Sequence, residues 1–94
     1  MRIEVRWPAT GDESRKRELI EDEAARARQL GELGTIVRLW RVPGRWANVG
    51  IWQAADATAL HDAISSLPLF PWIEVDVEPL ARHPSDPEVA PETR

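Results

Sequence analysis

Glu23 is the residue least in keeping with its neighbours. Leu19, Ile20, Ala24, Ala27 and Leu30 recur at three- and four-residue spacing and form one apolar stripe on a helix. Glu23 stands four after Leu19, four before Ala27 and seven before Leu30, within that stripe, whereas Glu18, Glu21, Asp22 and Arg28 project elsewhere. An ionised carboxylate facing a core is costly unless it is paired or put to use, and burial raises its pKa towards the range of a general acid or base. Two readings fit: a proton-transfer group, or a carboxylate at a pocket edge paired with Arg38 or Arg41.

The arginines form the second constellation. "VRLWRVPGRW" puts Arg38 and Arg41 on opposite faces of one strand and Arg45 at the start of the next. A guanidinium fork from one or two of them suits an anionic ligand, while at least one of the three fits a solvated position beside the hairpin. His61 and His83 are too far apart and too isolated for a metal site, and His61 in "ALHDAI" reads as a partly buried helix residue or a group at a pocket mouth. The tryptophans read as core and interface, because the basic groove of a single-strand nucleic-acid binder is missing.

Composition narrows the classes. The 94 residues make one domain, and a domain of this size buries a modest core and gains by associating with copies of itself. With no cysteine there is no disulfide framework or thiolate chemistry, which suits a cytoplasmic protein. A formal net charge of -4 argues against nucleic acid and anionic membranes as partners. No run is long and apolar enough for a membrane span, and "MRIEVRW" does not read as a signal peptide.

The elements that must position these groups follow from periodicity. "RIEVRW" (2–7) alternates as a strand with Ile3, Val5 and Trp7 on one face, and "PATGD" breaks it. Asp12 caps a long helix that runs to Gly34. Residues 35–42 and 45–53 read as antiparallel strands joined at "PG", and Asp56 caps a second helix. "WIEVDVEPL" (72–80) alternates as the last strand, with Ile73, Val75 and Val77 inward. The β-α-β-β-α-β order is the ferredoxin-like α+β arrangement, a four-stranded antiparallel sheet with two helices on one face. The other sheet face then carries Trp46, Asn48, Gly50 and Trp52 or their alternates, and such a face is expected to meet a second subunit. The domain spans 1–82, and the Pro-rich tail 83–94 is expected to be extended or partly disordered.

"RLWRVPGRWANVGIW" followed by "ALHDAISSLPLFPWIEVDVEPLARHPS" resembles the muconolactone delta-isomerase family of the β-ketoadipate pathway, from Val5 to about Ser85. The shared pieces are an LWR-x-x-G-x-x-x-N segment, an LH-x-x-L-x-x-LPLFP-aromatic segment, and RHPS. The resemblance implies small ferredoxin-like subunits that form dimers and then a ring-like decamer, with Leu67 to Trp72 as interface and pocket wall.

It further implies a cofactor-independent isomerase that takes a small lactone carboxylate, muconolactone, to 3-oxoadipate enol-lactone by a 1,3 proton shift. Glu23 matches the acidic residue of the family's first-helix segment and would be the base. Asn48 would hold the developing enolate oxygen, and Arg41 would hold the carboxymethyl carboxylate. Arg38, Trp40, Trp46, His61 and Phe70 complete the candidate substrate-binding set. Departures from the family pattern alter the polarity expected near the chemistry: Trp46 stands where a tyrosine is common, Ala24 where a lysine commonly follows the carboxylate, the loop between the first strand and helix is shorter, and tryptophan occupies positions 7 and 52. A chloromuconolactone dehalogenase or another lactone-processing enzyme, and a non-catalytic ferredoxin-like binding subunit, are the alternatives.

Overall fold

The computed structural model describes residues 1–88, in the order β1 (Arg2–Val5), α1 (Glu13–Glu32), β2 (Ile36–Arg41), β3 (Ala47–Trp52), α2 (Ala57–Ser65), a 3-10 turn (Phe70–Trp72) and β4 (Ile73–Asp76). The strands form one antiparallel sheet in the order β2-β3-β1-β4, so the βαββαβ arrangement expected from the sequence is the one present.

Local chemistry explains the element ends. Asp12 accepts from the Ser14 and Arg15 N–H groups at 2.8 and 3.3 Å, and Asp56 accepts from Ala59 at 2.7 Å, so both helices begin on the predicted caps. α1 closes through Leu33. The Thr35 N–H reaches Leu30 O and the Gly34 N–H reaches Gly31 O, with Gly34 at φ 82, a conformation that suits glycine. Gly44, at φ 77, makes the same use of glycine in the hairpin between β2 and β3.

Two strands are shorter than their alternation suggests. β1 ends at Val5, and Trp7 leaves the sheet to pack against Trp72 with ring centroids 4.8 Å apart. β4 ends at Asp76 because its pairing strand runs out: Asp76 faces Arg2 at the start of β1. Val77 is therefore 48% exposed and not inward. Residues 77–88 contain no helix or strand; the rest of the tail expectation, 89–94, lies outside the described residues.

Register fixes the two sheet faces. Ile3 faces Asn48 and Val75, Leu39 faces Gly50, Arg41 faces Asn48, and Ile36 faces Trp52, so these residues share the helix-covered side. The open face carries the alternates: Val49 and Ile51, with Trp40 and Arg38 opposite them. A register shift between Ile36 and Arg38, a bulge at Val37, puts Ile36, Leu39 and Arg41 on one side. On the open face Glu4 is held by Arg2 at 2.9 Å and Arg45 at 3.1 Å, and the Arg2 hydrogen bond, then Arg45 and Arg6, hold its carboxyl below the ordinary value.

The core is small and lies between sheet and helices. Ile3, Leu30 and Leu67 form its centre, with Met1, Ile36, Trp52, Ala63, Ile73 and Val75 packed around them. Leu19 and Leu30 of the α1 stripe are buried as expected, whereas Ile20 is 42% exposed and Ala24 is also exposed. Among the described residues no helix is long and apolar enough to cross a membrane.

Leu30→Ala is expected to cost about 2–5 kcal/mol in urea unfolding, because Leu30 sits at the centre of the core, while Leu33→Ala, at a 72% exposed position, should stay within about 0.5 kcal/mol. Equal losses at both positions would refute this placement of the core.

Candidate active site

Sheet and α1 do not close on one another along β2 and β3. They leave two adjoining lobes of about 330 and 430 Å³ that share Ile3, Glu23, Leu39, Arg41, Trp46, Asn48 and Leu69. Volumes of this order suit a small organic ligand. The larger lobe is widened by small residues on the helix, Ala24 and Ala27.

Glu23 enters this space from α1. Its Oε1 accepts the Leu69 backbone N–H at 3.0 Å, and it takes part in no ion pair among the described residues. The expected alternative, pairing with Arg38 or Arg41, is therefore not what the structure contains. Burial pushes the carboxyl above its ordinary value, and the Leu69 N–H pulls the other way. The contrast with Glu4 is one of environment: Glu4 is ion-paired to three arginines, whereas Glu23 is half-buried with a backbone amide as its partner.

Leu69 can offer its amide because of the turn that follows. It is the N-cap of the 3-10 turn, so its N–H precedes that turn's own hydrogen bonds, and the Trp72 N–H returns to its carbonyl at 2.9 Å. The side chains of Leu67 and Leu69 are 5% and 2% exposed and form the floor of the cavity. Of the segment Leu67 to Trp72, Leu67 and Leu69 are thus pocket wall.

Asn48 projects from β3 into both lobes, and its Oδ1 is buried with no hydrogen-bond partner. A strand amide occupied with backbone would look different. Trp52, four residues on, also lines the larger lobe with its Nε1 buried and unpartnered. Trp46 borders both lobes, with the Lys16 Nζ 5.2 Å from its ring centroid. Arg41 borders both lobes and has no ion-pair partner among the described residues.

Glu23, Asn48, Arg41 and Trp46 are therefore brought together around both lobes, Trp40 reaches the smaller lobe alone, and Arg38, His61 and Phe70 border neither. Arg38 stacks on Trp40, 4.7 Å from its ring centroid, on the open face, although Trp40 also borders the smaller lobe. His61 is exposed on α2 and stands edge-on to Phe70 at 6.2 Å; neither borders the two lobes. One group has no signal in the sequence, the Leu69 N–H, which no side chain announces; and Arg28, expected to project away from the stripe, borders the larger lobe instead, because the cavity extends along the helix to the side of Ala24. Among the described residues no group of three or more His, Asp or Glu could hold a metal ion.

Known proteins share this fold along almost the whole chain. The family model described as muconolactone delta-isomerase matches residues 1–86. Muconolactone Delta-isomerase 2 of Acinetobacter lwoffii is 40% identical over 81 residues, 86% of this chain and 84% of that one. The muconolactone Delta-isomerase of Pseudomonas putida is 34% identical over 85 residues, 90% of this chain and 88% of that one. A crystal structure of muconolactone isomerase superimposes with a TM-score of 0.87 at 35% identity, covering 95% of this chain and 93% of its own. A shared fold, a match along almost the whole chain and identities well above chance together make this chain a member of the muconolactone delta-isomerase family of isomerases.

Proposed function

We propose that the chain converts muconolactone to 3-oxoadipate enol-lactone with Glu23 as the single acid/base. The observation that carries this reading is a half-buried carboxylate with no cation paired to it, one oxygen fixed by a backbone amide, facing a cavity of ligand size. The ionised Glu23 takes the proton from the γ-carbon beside the ring oxygen. The electron pair delocalises through the ring double bond onto the lactone carbonyl oxygen, giving a dienolate. Glu23 then returns the same proton at the α-carbon, and the double bond comes to rest between the β- and γ-carbons. No atom is gained or lost, so one carboxylate suffices if both carbons lie on the same ring face.

The remaining groups have roles suited to their chemistry. The Asn48 amide, free of protein partners at Oδ1, can turn its N–H towards the developing oxyanion, where a fixed donor stabilises charge more than water does. Arg41 offers its guanidinium to the carboxymethyl carboxylate. The apolar floor of Leu67 and Leu69 keeps Glu23 poorly solvated, which strengthens it as a base once ionised. The open sheet face, with Trp40, Val49 and Ile51 each more than a third exposed, is consistent with a homo-oligomer.

Glu23→Gln is expected to lower kcat on muconolactone by at least about 10²-fold, measured by product formation. A variant as active as the wild type would exclude Glu23 as the base. For the wild type, kcat/KM should rise with pH through a pKa above that of an ordinary glutamate, because the ionised form is the reactive one; a limb at the ordinary carboxylate value would contradict burial as its cause.

Stability should move the other way. With the folded pKa raised, the native state holds more protons than the unfolded chain between the two pKa values, so stability falls as pH rises through that window. The Glu23→Gln variant keeps an acceptor for the Leu69 N–H without the charge. Thermal melts should therefore favour this variant over the wild type increasingly as pH rises through the window, and a gap independent of pH would count against the raised pKa.

A further inference from the structure

Arg28 borders the larger lobe together with Ala24 and Ala27, and no role in the reaction has yet been given to it. Its surroundings set it apart from the other cations of α1. Arg26 is committed to structure, donating to Ser66 Oγ at 2.9 Å and Gln29 Oε1 at 3.0 Å. Lys16 lies 3.8 Å from Glu13 and borders neither lobe, although it covers Trp46. Arg28 has no hydrogen-bond or ion-pair partner among the described residues, and it faces a cavity whose strand wall holds a second unpaired guanidinium, Arg41.

Charge and geometry give this pair a purpose. Arg28 and Arg41 are exposed at the edge of the cavity and paired neither with Glu23 nor with another described residue, which leaves both guanidiniums available to an anion that enters it. Arg28 lies five residues past Glu23, about 7.5 Å along the axis at 1.5 Å per residue. It stands about 140° round the helix from Glu23 but on the same side as Ala24, four residues earlier, so its stem, which leans back towards the helix N-terminus as helical side chains do, lies over Ala24 at the rim of the cavity. A flexible stem ending in a planar fork can meet a carboxylate held between helix and strand.

We infer that Arg28 shares the substrate carboxylate with Arg41 and makes the pocket select anionic lactones over neutral lactones of the same shape. This rests on the lactone-isomerase reading of the site. Arg28 acts on binding, not on proton transfer, so its loss affects KM and leaves the chemistry of Glu23 in place.

The test uses a ligand that cannot react: the saturated lactone acid (5-oxotetrahydrofuran-2-yl)acetate, beside its methyl ester, with binding followed by the fluorescence of Trp46 and Trp52 in the cavity. The wild type should prefer the acid. Arg28→Gln, which keeps good helix propensity, should weaken acid binding about tenfold and leave the ester unchanged, with Arg28→Lys in between. In turnover of muconolactone, Arg28→Gln should raise KM by a similar factor with kcat retained. No preference for the acid in the wild type, an unchanged acid affinity in Arg28→Gln, or equal loss of acid and ester would each overturn the inference. A wild type that prefers the acid through Arg28 but does not turn over muconolactone would instead refute the isomerase reading and leave the anion site standing.

Discussion

One hydrogen bond, from the Leu69 backbone to the Glu23 carboxylate, joins the middle of the first helix to the turn that launches the last strand. It spans 46 residues of chain and gives the buried oxygen a partner that carries no formal charge. An arginine in the same place would have paired the carboxylate and drawn its pKa down. The amide satisfies geometry while leaving the charge uncompensated, so burial raises the pKa with only the amide opposing it, as the proposed role of Glu23 requires. Leu67 and Leu69, both buried, anchor the turn that offers this amide.

The same economy governs the sheet. On its open face Glu4 gathers Arg2, Arg45 and Arg6 into a solvated network, and Arg38 lies over Trp40. On its covered face the polar groups of Asn48 and Trp52 are left without partners. Buried polar atoms are rarely abandoned in this way, since each forfeits hydrogen bonds it had in water. Of three such atoms among the described residues, Asn48 Oδ1 and Trp52 Nε1 belong to residues that line the cavity Glu23 enters, and the third, Trp7 Nε1, lies outside it.

Much of the arrangement was legible in the residues. Caps at Asp12 and Asp56, the Pro-Gly hairpin and the alternation of Ile3 with Val5 foretold the element order, because each rests on contacts within a few residues. Glu23 stood out because a helical stripe has a period, and a charge within it breaks the pattern. What stayed hidden depends on distant partners. The length of β4 is set by where β1 begins, which its own alternation through Val77 cannot reveal. The split of the α1 stripe into core (Leu19, Leu30) and cavity wall (Ile20, Ala24) follows from where the sheet stops covering the helix. The Leu69 amide has no side-chain signature at all.

The bulge at Val37 has a consequence for how this pocket can diverge. Side chains on a strand alternate, so the single extra residue shifts the phase of everything after it and delivers Leu39 and Arg41 to the cavity while Arg38 and Trp40 face outward. Loss of the bulge with Val37 taken back into regular pairing would exchange the two sets at a stroke, trading an aliphatic wall and its cation for an indole and a different cation, whereas deleting Val37 would straighten the ladder and leave both sets where they are. Gain or loss of a bulge in β2 is thus a route to new pocket linings, reached in one step where point substitutions would need several.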